Sequence, residues 1–271
     1  MKDSVTLAYI NMYGILGALE DLCRFSQEAR ELAGAGGPGK KPFKDLTVGF
    51  TVKNGPAMTL SFAGGACGAR IGEGPCTIKL PFSSCEKFNG LVDGTVTPIP
   101  SKGFTRIGFL LRNFTALTKI LENYLRPAPG ALGDPAFFEA STTIMFFLIV
   151  QAVAQIGNHD KIGRFSASNI PDSTVLLSIA GEPPRTAETA RASSPQAAII
   201  VRDHQLSLSR TVPEKYHAVM EFGSMKLARQ LFDGQVSAIG CIGRGLISLR
   251  GNIGILDNIN RILDRAALYL A

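Results

Sequence analysis

Two stretches decide the reading of the fold: Phe82–Ile107, FSSCEKFNGLVDGTVTPIPSKGFTRI, and Phe222–Ile247, FGSMKLARQLFDGQVSAIGCIGRGLI, which lies 140 positions further on. Laid together without a gap they share nine identities: Phe82/Phe222, Ser84/Ser224, Leu91/Leu231, Asp93/Asp233, Gly94/Gly234, Val96/Val236, Ile99/Ile239, Gly103/Gly243 and Ile107/Ile247. Average residue usage gives about two matches over such a length, so the chain reads as an internal repeat. Upstream the offset falls to 127, aligning Asp45–Val48 with Asp172–Val175. The difference is absorbed by an insertion at 181–196, rich in Pro, Thr, Ala, Ser and Arg, which reads as an exposed loop. Downstream, Leu117, Ile120 and Leu121 match Ile259, Ile262 and Leu263 at offset 142. Between the copies, Pro127-Ala-Pro-Gly-Ala-Leu-Gly-Asp-Pro135 denies both helix and strand, which sets the expected units at 1–130 and 131–271.

Each copy shows the same order of elements. Helical spacing of Met12, Ile15, Leu16, Leu19, Leu22, Cys23 and Phe25 predicts one long helix over Val5–Ala33. Its counterpart lies between Pro135 and Gly157. Alternation at Val48, Phe50 and Val52, the turn signal Asn54-Gly55, and Met58, Leu60 and Phe62 predict a hairpin. The second copy offers Val175–Ile179, Ala198–Val201 and Leu206–Ser209. Short strands at Cys76–Leu80 and His217–Phe222 complete three antiparallel members in each copy. Short helices at Ser84–Gly94 and Ser224–Gly234 follow, then strands at Phe104–Leu111 and Leu246–Arg250, then a closing amphipathic helix, Ile253–Leu270 in the second copy. Strands and helices mixed in this order indicate an α+β fold.

With 45% apolar and 18% charged residues in 271, the composition is globular, and 16 Phe offset the lack of Trp in the core. A formal charge of +6 spread over both halves argues against nucleic-acid binding but allows a weak attraction to anionic membrane surfaces. Five cysteines without C-x-x-C spacing, behind an N-terminus lacking a signal-like apolar run, place the chain in a reducing cytoplasm. The most apolar segment, Phe137–Ile156, has too short an uninterrupted run to span a bilayer and reads as a buried helix.

Sites for chemistry are not found. Gly34–Lys41 has the glycine-to-lysine spacing of a phosphate loop, but Lys41 stands where Ser or Thr is needed, and it ends a helix rather than opening one. His159, His204 and His217 lack metal-ligand spacing and read as structural, and Asp203-His204 has no nucleophile elbow to serve. Cys67, Cys76 and Cys85 are spaced as ordinary thiols. The repeated Asp-Gly pairs at 93–94 and 233–234 fit helix-ending turns rather than catalytic carboxylates. No catalytic residue, metal or cofactor is expected.

The second copy, through Ala218–Phe222, Leu231-Phe-Asp-Gly-Gln-Val-Ser-Ala-Ile239, Gly245–Gly251 and the closing helix, resembles the sterol carrier protein (sterol-transfer) domain family. The likeness covers about 172–270 and extends to 46–125 through the repeat. It implies two tandem units, each a mostly antiparallel sheet of about five strands with helices on one face. It also implies an apolar tunnel for a sterol, fatty acyl chain or similar lipid. Lining residues expected for it are Phe82, Phe88, Leu91 and Phe109 in the first copy and Phe222, Leu227, Leu231, Ile239, Ile255, Ile259 and Ile262 in the second. Non-enzymatic lipid binding or transfer follows from this. The competing expectations are a protein-interaction or structural module, with the copies forming an internal pseudo-dimer, and an accessory domain of lipid or acyl-CoA metabolism.

Overall fold

The computed structural model describes residues 2–36, 45–180 and 194–270, and it forms two compact units, Met1–Ile144 and Met145–Ala271. The fold is α+β, with a four-stranded sheet in the first unit and a five-stranded sheet in the second.

The first unit does not open with the single helix predicted over Val5–Ala33. Helix α1, Ser4–Tyr9, passes into a π-helical stretch, Ile10–Leu16, and then α2, Leu19–Phe25. Ser26 stops it in extended conformation (φ −100°, ψ 121°), and its hydroxyl accepts the Ala29 N–H to start α3, Gln27–Arg30. A serine that can satisfy an orphan N–H competes with continuation of the helix, which apolar spacing does not reveal. The phosphate-loop-like run continues from Gly34 into residues 37–41, which lie outside the described residues.

Strands β1 (Leu46–Val52), β2 (Ala57–Ala63), β3 (Ala66–Ile71) and β4 (Ile78–Phe82) take the order β3-β2-β1-β4. The β1–β2 and β2–β3 pairs are antiparallel, whereas β4 runs parallel to β1, which corrects the expectation of three antiparallel members. Strand β3 was not foreseen. Its sequence, ACGARI, has too few apolar residues to alternate visibly.

The second sheet repeats this order with one strand more: β7 (Gln205–Ser209), β6 (Gln196–Arg202), β5 (Ser173–Ile179), β8 (Ala218–Phe222) and β9 (Ile247–Gly251). Again one neighbour of the first strand, β8 beside β5, is parallel. The two-residue β6–β7 turn at Asp203-His204 has φ of 47° and 60°, and the β2–β3 turn at Gly64-Gly65 has 56° and 88°. Positive φ at both central residues is the hairpin turn whose twist suits paired strands. The second hairpin is held by Asp172, which accepts the Asp203 N–H at 2.9 Å. Of the insertion expected at 181–196, residues 181–193 lie outside the described residues, and Gln196 already belongs to β6.

After β4 and β8 come α4 (Cys85–Val92) and α8 (Met225–Phe232), both capped by a serine hydroxyl, Ser84 or Ser224. The strand predicted at Phe104–Leu111 is not formed. Phe104–Arg106 is a 3-10 turn, Phe109–Phe114 is π-helical, and α5, Thr115–Leu125, continues from it. What corresponds to β9 in the first unit is a single bridge, Lys79 with Lys102. Prolines 98 and 100 remove the donors a ladder there requires. Gly103 and Gly251 end these segments alike, with φ of 89° and 94°. A Cβ would lie 2.4 Å from the Thr77 carbonyl oxygen at Gly103 and 2.3 Å from that of His217 at Gly251. The structural partner of Gly103 is therefore Gly251, not Gly243 as the ungapped alignment had it.

In the second unit, α9 (Ala238–Gly243) precedes β9, and α10 (Ile253–Leu270) packs on β8 and β9. The closing helices bury matching positions: Leu110, Phe114, Leu117 and Leu121 in one, Ile255, Ile259, Ile262 and Ala266 in the other. Helix α6, Pro135–His159, runs past Gly157, where it was expected to end, and the division between the compact units falls within it rather than at the Pro-Gly segment. Proline at a helix start is tolerated, and local breaking signals do not decide where packing separates. From Ala140 to Gly157 all but Met145 and Phe147 are buried, so this stretch, long and apolar enough to cross a membrane, is a buried helix here. Short α7, Lys161–Ala167, follows it.

Candidate functional site

The space to consider is the interface between each sheet and its helices. In the first unit the inward strand positions are filled by large side chains. Three ring pairs each join a strand to the helical layer: Phe50 with Phe114 at 5.8 Å, Phe62 with Phe109 at 5.1 Å and Phe82 with Phe88 at 5.2 Å between centroids. Met12, Leu16, Leu19 and Leu22 complete the same core. Of the residues expected to line a tunnel here, Phe82 and Phe88 are buried core, and Leu91 and Phe109 pack partly buried against it. Phe50, Phe62 and Phe114, which sequence reasoning did not single out, carry most of the aromatic bulk. The alternation in β1 and β2 was the available signal for two of them.

The strand registers allow the two interiors to be compared position by position. Val48 pairs with Ile78 and Leu60, and Val175 pairs with Ala218 and Ile199. On that correspondence the second sheet presents Ser173 for Leu46, Leu177 for Phe50, Ala197 for Met58, Val201 for Phe62 and Ala218 for Ile78. All five replacements are smaller, whereas Ile179 is larger than its counterpart Val52. Of the residues expected to line this interior, Ile255, Ile259 and Ile262 are buried on α10, Phe222 is buried on β8, Leu227 is buried on α8, and Leu231 is partly buried. Phe222 meets Phe232, at 5.8 Å, in place of the Phe82–Phe88 pair. Ile239 departs from the expectation. It is 72% exposed on α9 and so lines no interior, because α9 is a single short helix that buries only Cys241.

The polar groups of the second unit are engaged in structure. Asp160 caps α7 by accepting the N–H groups of Ile162 and Gly163. It also receives both Arg265 Nε and Nη2, at 2.6 and 2.7 Å, and the Tyr269 hydroxyl at 2.7 Å. Burial works to raise its pKa, but the Arg265, Gly163 and Tyr269 hydrogen bonds outweigh it and hold the carboxyl at about 2. His217 Nδ1 accepts the Thr174 N–H, and the His204 ring is bonded to the Ile170 carbonyl, which accords with structural roles. In the first unit, burial pushes the Cys23 thiol up to about 11 and raises that of Cys67 too, so neither is a thiolate nucleophile at neutral pH. Among the described residues no group of His, Cys, Asp and Glu is placed to hold a metal ion. An open depression of about 200 Å³ on the first sheet involves Gly49, Thr51, Thr59, Cys76 and the Glu73–Lys79 ion pair. Phe50 and Met58 also line it, so it is a shallow depression of mixed polarity rather than an apolar space.

Known structures resemble this architecture. The chain is similar to sterol carrier protein domains. One is the solution structure of sterol carrier protein domain 2 of Helicoverpa armigera, 13% identical, with a TM-score of 0.35, over 45% of this chain and 88% of that one. Another is a conserved hypothetical protein of Thermus thermophilus, described as possibly a sterol carrier protein. It is 14% identical, with a TM-score of 0.34, over 45% of this chain and 85% of that one. No protein-family model and no curated protein sequence matches the chain.

Proposed function

We propose that this chain is a non-enzymatic carrier of an elongated apolar molecule, such as a fatty acyl chain or a sterol-like lipid. In this reading it is built from two copies of one unit and works in a reducing cytoplasm. The second unit takes the ligand between β5–β9 and α10, and the first is filled and serves as scaffold. The observation that carries this reading is the set of five register-matched inward positions at which the second unit has the smaller side chain. Side-chain volume removed from a helix–sheet interface must reappear as closer packing or as space, since interiors are otherwise close-packed. Phe222, Leu227, Leu231, Ile255, Ile259 and Ile262 surround that region and are its proposed lining. The magnitudes suit a carrier: burying ten methylenes gains about 8 kcal/mol gross, and association costs at least about 4, leaving modest, reversible affinity.

Native mass spectrometry of the purified chain with a panel of fatty acids and sterols tests this. Uptake of one acyl chain by the wild type, lost when Ala197→Met and Ala218→Ile restore the first unit's side chains, is expected. Failure to take up any member of the panel overturns it, as does unchanged uptake by a folded double variant. Closer packing is the specific support for a second reading, a structural or interaction module. A Cβ at Gly157 would lie 2.7 Å from Leu206 Cδ2, so at that end α6 and β7 are already in contact. On that reading an anilinonaphthalene dye finds no stoichiometric site in the folded chain.

A further inference from the structure

The first unit carries an exposed apolar surface that the core does not use. Ile99 is 75% exposed, Phe104 60%, Leu111 64% and Ile107 40%. Phe104, Ile107 and Leu111 stand three and four residues apart through a helical segment, so they share one exposed face, while Leu110 and Phe114 turn into the core. Ile99 sits between Pro98 and Pro100 on a segment pinned at both ends. Val96 N–H donates to the Gly90 carbonyl at 2.9 Å, and Ser101 N–H donates to the Lys79 carbonyl at 2.8 Å. The surface is thus held in place before it meets anything, which lowers the entropy lost on contact.

Its charge is one-sided. From Gly94 to Leu121 there is no Asp or Glu, while Lys102, Arg106, Arg112 and Lys119 fall within that run. Lys102 donates to the Cys76 carbonyl. Arg106 and Arg112 flank the apolar face in exposed positions, with no ionic partner among the described residues. Apolar side chains that insert, rimmed by guanidinium groups that stay at headgroup level, are the chemistry of an interfacial membrane contact with anionic lipid. The second unit shows the same trend by itself. Ile239 on α9 is exposed, as is Ile253, and Gly234–Leu256 has Arg244 and Arg250 but no acid, although Arg250 pairs with Glu221 of β8.

We propose that the Ile99–Phe104–Ile107–Leu111 surface, with Arg106 and Arg112, docks the protein reversibly on an anionic phospholipid bilayer. This stands whether or not the interior carries a ligand. Because the chain has no tryptophan, Phe104→Trp in the full-length protein gives a background-free reporter. Phosphatidylcholine vesicles containing phosphatidylserine should shift its emission to the blue, and raised salt should reverse the shift. Arg106→Gln and Arg112→Gln should each weaken partitioning about fivefold. Ile99→Asp with Leu111→Asp should abolish it while leaving the circular dichroism spectrum unchanged. An unshifted reporter overturns the proposal, as does equal binding to pure phosphatidylcholine or full retention by the Asp double variant. A salt-insensitive dimer dissolved by Leu111→Asp, with no vesicle response, would assign the surface to a second copy of this chain instead.

Discussion

Asp160 shows how little a residue's type says before its surroundings are known. In sequence it is one acid after a helix; in the structure it closes a network with Arg265 and Tyr269 and starts α7. Asp160→Ala leaves Arg265 without its partner and α7 without its cap, and a loss of about 3 kcal/mol is expected in chemical denaturation. The pH dependence has a definite sign. Its pKa is depressed in the folded state from 3.8 to about 2, so its contribution is complete above about pH 4 and is lost as the pH falls toward 2. Acid titration of stability should therefore be flatter between those values in Asp160→Asn than in the wild type. Thr142 makes the opposite case. Its buried hydroxyl has no partner among the described residues, so Thr142→Val should raise stability by about 1 kcal/mol, and a loss of that size would contradict the assignment.

At the scale of elements, the repeated Phe82–Ile107 and Phe222–Ile247 stretches were legible, but what each copy makes of them was not. Both place a serine-capped helix after the parallel strand. Where the chain returns to that strand's far edge, Pro98 and Pro100 allow one bridge, and Ile247–Gly251 forms a full strand. The prolines are visible in the sequence, yet the strand was expected after them, at Phe104–Leu111. It fails there because that segment is helical and turns Leu110 and Phe114 inward together. The glycines closing both segments give a test of the corrected alignment. Gly103→Ala and Gly251→Ala each combine positive φ with a backbone clash, and each should cost about 2 kcal/mol in urea unfolding. Gly243 has open space around it, and its substitution by alanine should change little.

For the whole molecule, ligand linkage supplies the broadest check. An acyl chain held at about a hundred times its dissociation constant raises stability by about 2.7 kcal/mol, and this appears as a higher unfolding temperature. A melting curve unmoved by saturating fatty acid would count against the carrier reading, and a shift abolished by Ala197→Met would place the ligand in the second unit. By itself the sequence determined the α+β class, most strands and the apolar faces of the closing helices, because those follow from periods of two and 3.6 and from local turn chemistry. Only the tertiary structure decided that β4 runs parallel to β1 and β8 to β5, that α6 is buried, and that Ile239 faces outward. It alone also set the strand registers by which the two interiors can be compared. These depend on which distant segments meet, and a pattern along one chain carries no information about its partner across a sheet.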